Sequence, residues 1–244
     1  MNGQVKTGGI GALALCLTLL SGCSSSPNIA SVELGPDPRD PYQSFNRKVY
    51  SFNNAVDKNV LIPVVKGYEA VTPDVVEKGV SNFFSNLSEM NNFLNHSLQL
   101  KPIKAVTDLG RLVINSTIGL GGLVDVASKF GMYQEPEDLG QTLGYWGVSS
   151  GPYLVLPLLG PSTLRDVSAT VIDISASPIE RYDPVAGQLS ITALELIDLR
   201  HQLGDFESLI SGDPYMFVRE AYLQRREYMI NDGVLGDGED FDDF

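Results

Sequence analysis

The stretch PDVVEKGVSNFFSNLSEMNNFLNHSL, residues 73–98, decides the fold. Pro73-Asp74 opens it, and Val76, Val80, Phe83, Phe84 and Leu87 recur on one side, continued by Met90, Phe93, Leu94 and Leu98. Apolar residues at steps of three and four follow the period of a helix. Working outward, Tyr42, Phe45, Val49, Phe52 and Val56 make a second stripe behind Asp40-Pro41, which reads as an N-cap followed by Pro at the first helical position. Pro102 starts a third, with Ile103, Val106, Leu109 and Val113. Thr163 caps a fourth through Leu164, Val167, Val171 and Ile172, with Asp166 in its first turn. Leu189 to Ile210 carries Leu194, Ile197 and Phe206, and Asp213-Pro214 opens a last helix with Met216, Val218, Ala221 and Tyr222. Alternating strand pattern is nearly absent. The expected class is all-α.

Two stretches interrupt the helical pattern. Thirteen uncharged residues lie between Arg111 and Asp125, and twenty-six between Asp138 and Arg165. The second has the length of a membrane span, but Gly140, Gly144, Gly147, Gly151, Pro152, Pro157, Gly160 and Pro161 forbid a simple spanning helix. Bare backbone cannot face lipid, so such a segment is either buried in protein or lines a wet cavity. Tyr145, Trp146, Tyr153, Leu154, Leu156 and Leu158 suit the depth of a membrane interface. A buried loop of a soluble core has the same composition, and both readings stand.

The N-terminus carries its own signal. Lys6 precedes an uncharged run from Thr7 to Leu20, then Leu20-Ser21-Gly22-Cys23. The run is too short to span a bilayer and has the grammar of a signal peptide over residues 1–22. Leu-Ser-Gly-Cys resembles the lipobox of bacterial lipoproteins, which makes Cys23 the lipid attachment site and first mature residue. Several acyl chains hold a protein where one holds it only marginally. Ser24, in place of the Asp that retains many such proteins at the inner membrane, points to the outer membrane, with the body on its periplasmic side. Residues 23–39 read as a Ser/Pro-rich tether, reaching at most ~55 Å when extended. A folded domain is expected over 40–232 and an acidic disordered tail over 233–244.

Composition then excludes several chemistries. Losing residues 1–22 removes one Lys and no acid, leaving a net charge of −14. Such a balance disfavours nucleic acid and gives no electrostatic adhesion to anionic lipid. Cys16 leaves with the signal peptide and Cys23 is consumed by lipid, so neither a disulfide nor a cysteine metal site is expected. Gly147-Val-Ser149-Ser-Gly151 fits a nucleophile elbow, with Asp173 and His201 following in hydrolase order. Gly151-Pro152 and Pro157, however, block the helix that must follow the Ser. Leu112 to Gly122 echoes a dinucleotide fingerprint, but Val124 stands where the third Gly belongs. His96 and His201 are the only histidines and lack ligand neighbours at helical spacing, so no metal and no cofactor are expected.

The motifs taken in order resemble one family. They include Phe45-Asn46-Arg47, Phe52-Asn53, Ser81-Asn82-Phe83, Asn86-Leu87 and Arg111. Ile114-Asn-Ser-Thr-Ile-Gly-Leu-Gly-Gly122, Asp125-Val-Ala127, Gly140-Gln-Thr-Leu-Gly144 and Gly151-Pro-Tyr153 follow. Leu164-Arg-Asp166, Asp213-Pro-Tyr215 and Val218-Arg-Glu-Ala-Tyr222 complete the set. From Asp40 to about Asn231 the chain resembles the MlaA/VacJ outer-membrane lipoproteins. That resemblance implies no enzyme but a phospholipid-transport component that maintains outer-membrane lipid asymmetry. It implies a ring of helices around a channel, with phospholipid leaving the outer leaflet for a periplasmic lipid carrier protein, and a trimeric porin as partner. A membrane-bound serine lipase and a purely structural envelope lipoprotein are the alternatives. Within such a ring the turn Ile118, Gly119, Leu120, Gly121, Gly122 and Leu123 is the candidate channel gate, because Gly tolerates large dihedral changes. Close helix packing would select the same glycines.

Overall fold

The structure is a computed structural model, and it describes residues 37–234 except 178, 180–183 and 205. The expected signal peptide, Cys23, most of the tether and most of the acidic tail lie outside these residues.

The first helix of the described residues, α1 (Gln43–Val56), passes through a π-helical turn (Asp57–Leu61) into α2 (Ile62–Val71). Pro63 explains the change of register: it has no amide proton to give the carbonyl of Asn59, the bond an α-helical ladder needs there. The quoted stretch forms α3 (Asp74–Leu98), and Pro102 starts α4 (Pro102–Thr117), which packs against α3 as a helical hairpin. A 3-10 turn (Ala127–Phe130) leads to the short α5 (Leu139–Tyr145), capped by Asp138, whose side chain accepts from the Gln141 amide. Thr163 caps α6 (Leu164–Ala176) in the same way through the Asp166 amide. The last helices are α7 (Val185–Leu203) and α8 (Pro214–Ile230), the latter capped by Asp213.

Three expectations are corrected. Asp40 is no N-cap: α1 starts three residues later, and the Asp40 carboxylate is buried, accepting from Asn46 Nδ2 at 2.8 Å, Tyr215 Oη at 2.5 Å and Arg219 Nη1 at 3.1 Å. The helix expected over 189–210 starts at Val185 and stops at Leu203, because Gly204 adopts φ of 52° and a 3-10 turn (Phe206–Leu209) follows. The uncharged segment after α5 contains β1 (Tyr153–Leu156) and β2 (Gly160–Thr163), an antiparallel pair with Tyr153 opposite Thr163 and Leu156 opposite Gly160. With strands of four residues and prolines at 157 and 161, periodicity had little on which to act. The molecule is otherwise helical, as expected.

The apolar core is small and aromatic. Val49, Tyr153, Val155 and Tyr215 form it, with Tyr50, Met216, Tyr222 and Leu223 packed around them. Tyr215 meets Tyr50 and Tyr153 edge-on, at centroid distances of 5.9 and 6.3 Å. Among the described residues no helix is long and apolar enough to cross a membrane.

Candidate functional site

The α3–α4 hairpin is inside out for a protein in water. Its buried face on α3 holds Asn86, Glu89, Asn92, Asn95 and His96, and on α4 Asp108, Arg111 and Asn115. Its exposed face holds Phe83, Met90, Leu94 and Leu98 on α3, and Ile103, Val106, Leu109 and Val113 on α4. The helical stripes read from sequence are therefore real, but on this hairpin most of their residues point outward, with Phe84 buried and Val80, Leu87 and Phe93 half-buried. In water, burying polar groups and exposing leucines is costly twice over. The arrangement suits a surround of acyl chains.

Most of the buried groups are paired; Asn86 Oδ1 and His96 Nε2 have no hydrogen-bond partner. Arg111 Nε donates to Glu89 Oε1 at 2.5 Å and Nη1 to the Met132 carbonyl at 2.6 Å. His96 Nδ1 and Asp108 Oδ2 share a hydrogen bond of 2.6 Å. The asparagines also hold the chain that follows α4: Asn115 Oδ1 accepts from the amides of Val126 and Ala127, both at 2.9 Å, and Asn92 Oδ1 from that of Glu137 at 3.0 Å. Gln99 Nε2 reaches Thr142 Oγ1 at 3.0 Å. A polar lattice thus ties residues 125–142 to the hairpin's inner face.

The 118–123 turn closes one end of α4. Ile118, Leu120 and Leu123 are exposed, while Gly119 and Gly122 are buried. A Cβ on Gly119 would stand 2.2 Å from the Val124 carbonyl oxygen, and one on Gly122 2.8 Å from Asn86 Nδ2. Only Gly121 faces open space, with φ of 74°. Two of the three glycines are thus required by packing, and Asn82 Nδ2 further holds the Leu123 carbonyl at 3.0 Å.

The interfacial set divides. Tyr145, Trp146 and Leu158 are exposed, Leu154 and Leu156 half-buried. Lys101 Nζ sits 4.7 Å from the Tyr145 ring centroid, and Trp146 Nε1 donates to the Leu98 carbonyl at 3.3 Å. Tyr153 differs from the others: it is 1% exposed, at the centre of the aromatic core. Sequence could not distinguish it, since a tyrosine beside an apolar run suits a core and an interface equally.

Elsewhere α8 is fastened by ions. Arg219 binds Asp37 at 2.9 Å and Asp40, and Arg226 binds Asp138 at 2.5 Å and Asp166 at 3.0 Å. Burial alone would raise the Asp138 and Asp166 carboxyls; hydrogen bonds and charge from Arg226, and from Arg165 at Asp166, outweigh it and hold both below the ordinary carboxylate range. A cleft of about 240 Å³ opens between α1, the β-hairpin, α7 and α8, walled by Val155, Leu203 and Val218. At its edge Arg200 Nε donates to Asp57 Oδ1 at 2.8 Å. This volume suits a length of acyl chain and is too small for a whole two-chain lipid.

The hydrolase residues do not meet. Ser149 lies in irregular backbone with no helix after it, Asp173 accepts from the Leu139 amide, and His201 pairs with Glu69 at 2.8 Å. Residues 112–117, the first part of the dinucleotide echo, are helix. Among the described residues no group of His, Cys, Asp and Glu could hold a metal ion.

Residues 38–229 match the family described as MlaA lipoprotein. The intermembrane phospholipid transport system lipoprotein MlaA of Escherichia coli K12 is 37% identical over 235 residues, covering 93% of this chain and 90% of that one. Its namesake in Haemophilus influenzae is 32% identical over 95% of this chain and 94% of its own. A solved structure reported under "Structural basis for maintenance of bacterial outer membrane lipid asymmetry" superposes with a TM-score of 0.70 at 36% identity, covering 79% of this chain and 99% of that one.

Proposed function

Because the chain belongs to the MlaA lipoprotein family, we propose that it is an outer-membrane lipoprotein of intermembrane phospholipid transport that removes misplaced phospholipid from the outer leaflet. The lipid enters a channel through the ring of helices and passes to a periplasmic carrier, with a trimeric porin as partner. One observation carries this reading: α3 and α4 turn their asparagines and ion pairs inward and their leucines outward. The inward polar groups are closed in a lattice of their own, and the apolar outer face fits a surround of acyl chains, the medium from which a transported phospholipid would be taken. Cys23 supplies the anchor, and the 118–123 turn, compliant at Gly121, gates passage.

The test is deletion of the protein followed by measurement of surface phospholipid, with mass spectrometry of the lipid that copurifies with the detergent-extracted protein. Surface phospholipid should rise in the deletion strain, and intact diacyl phospholipid should copurify. Unchanged asymmetry would sink the transport reading, and recovery of lysophospholipid or free fatty acid produced by the pure protein would favour a lipase. Cys23→Ala should leave an uncleaved precursor or a body without its anchor. An intact mass showing unmodified Cys23 in the wild type would remove the anchor from the scheme.

A further inference from the structure

Among the described residues four other than glycine have positive φ, and three of them are leucines: Leu100 (58°), Leu120 (57°) and Leu158 (65°). For a residue with a Cβ this region is sterically strained, and glycine ordinarily fills it. Each of the three forms the tip of a turn. Leu100 ends α3 in the position where helices commonly place glycine: the Lys101 amide bonds the His96 carbonyl at 2.9 Å and the Leu100 amide that of Ser97 at 3.1 Å. Leu120 opens the turn after α4, where the Gly122 amide returns to the Asn115 carbonyl at 2.8 Å. Leu158 tips the β-hairpin, and Asn53 fixes it there, accepting from the Leu158 amide at 2.8 Å and donating to the Leu156 carbonyl at 2.9 Å.

None of these side chains is compensated by burial in the protein. They are 86%, 71% and 62% exposed. Leu120 and Leu158 lie in the two uncharged stretches, so neither has a charge near it in sequence. Beside Leu100, Lys101 is bound to Asp232 at 2.6 Å and Lys104 to Glu135 at 2.6 Å and Asp232 at 2.9 Å. Leu100 and Leu120 flank the two ends of α4, a helix of 16 residues and so about 24 Å long at 1.5 Å per residue. Ile103, Val106, Leu109 and Val113 are exposed along the same face between them.

We infer that Leu100, Leu120 and Leu158 are insertion residues: strained leucines whose side chains enter the acyl-chain layer of the membrane and set how the domain seats in it. The conformational cost has no contact inside the protein to offset it, and a branched, charge-free aliphatic tip fits hydrocarbon. The inference rests on the membrane reading above but assigns it to three named side chains.

The test uses the full mature chain with Cys23→Ser, so that no acyl anchor masks the contact, and extruded vesicles of phosphatidylethanolamine and phosphatidylglycerol. Leu100→Gly, Leu120→Gly and Leu158→Gly should each raise the thermal midpoint in detergent by about 2–4 °C through relief of strain. Each should also weaken vesicle flotation roughly tenfold through loss of the apolar side chain. Leu→Phe at the same positions should retain flotation. Should a glycine variant misfold, Leu→Asn, which tolerates positive φ, replaces it. Gly variants that float like the parent, or whose midpoint does not rise, overturn the assignment. That failure differs from failure of the transport reading, which is measured by surface phospholipid in the deletion strain.

Discussion

At the scale of single residues, glycine and leucine have exchanged their usual places. Gly119 and Gly122 are fixed by crowding, and leucines occupy turn tips that glycine would fill without strain. A methyl on Gly119 has nowhere to go, because two backbone carbonyl oxygens stand within 2.5 Å of it. Gly119→Ala should therefore cost at least about 3 kcal/mol, as overpacking against backbone does. Gly121→Ala faces only its positive φ and should cost about 1 kcal/mol. Thermal melts of both variants check this order. Gly121 is consequently the substitution that isolates the gate: a folded, anchored Gly121→Ala protein should alter surface phospholipid. Wild-type asymmetry in that strain would leave the turn a packing device.

At the scale of elements, the α3–α4 hairpin rests on its ion pairs. Arg111 and Glu89 are both buried, so removing one strands the other. Arg111→Met should destabilise by about 3–5 kcal/mol, whereas Arg111→Met with Glu89→Leu should recover most of that loss. Denaturation in detergent measures the two. Most of these elements were legible beforehand. Pro102, Thr163 and Asp213-Pro214 announced helix starts because a cap is a local interaction between neighbours in sequence. Asp40-Pro41 carried the same local sign and misled, since its carboxylate is claimed by Arg219, Tyr215 and Asn46. The direction of a stripe was not legible either: periodicity fixes which residues share a face, and the solvent decides which way that face turns. The asparagines at 86, 92 and 95 were the available signal, repeating opposite the leucines with no turn for them to make.

At the scale of the whole molecule, α8 closes the structure onto its beginning. Arg219 holds Asp37 and Asp40, and Arg226 holds the loop before α5 and the start of α6. A carboxylate whose folded pKa lies below its unfolded value stabilises the fold above that unfolded value and loses the contribution as pH falls through the folded one. Asp138 and Asp166 are both lowered. The thermal midpoint should thus decline as pH falls below about 4, the unfolded aspartate value. Arg226→Gln should flatten that decline. A variant that melts with the parent's full acid dependence would assign it to other carboxylates.

The outward leucines also bear on how the chain reaches its post. A secreted protein crosses an aqueous compartment before it meets its membrane, and this one cannot hide its apolar face by finishing its fold. Completing the Asn and Arg lattice puts Met90, Leu94, Val106 and Leu120 on the outside. Folding therefore leaves a sticky face uncovered, unlike an ordinary soluble chain, whose hazard ends when it folds. On the proposed route to the outer membrane, that finished surface would have to stay covered until it meets lipid.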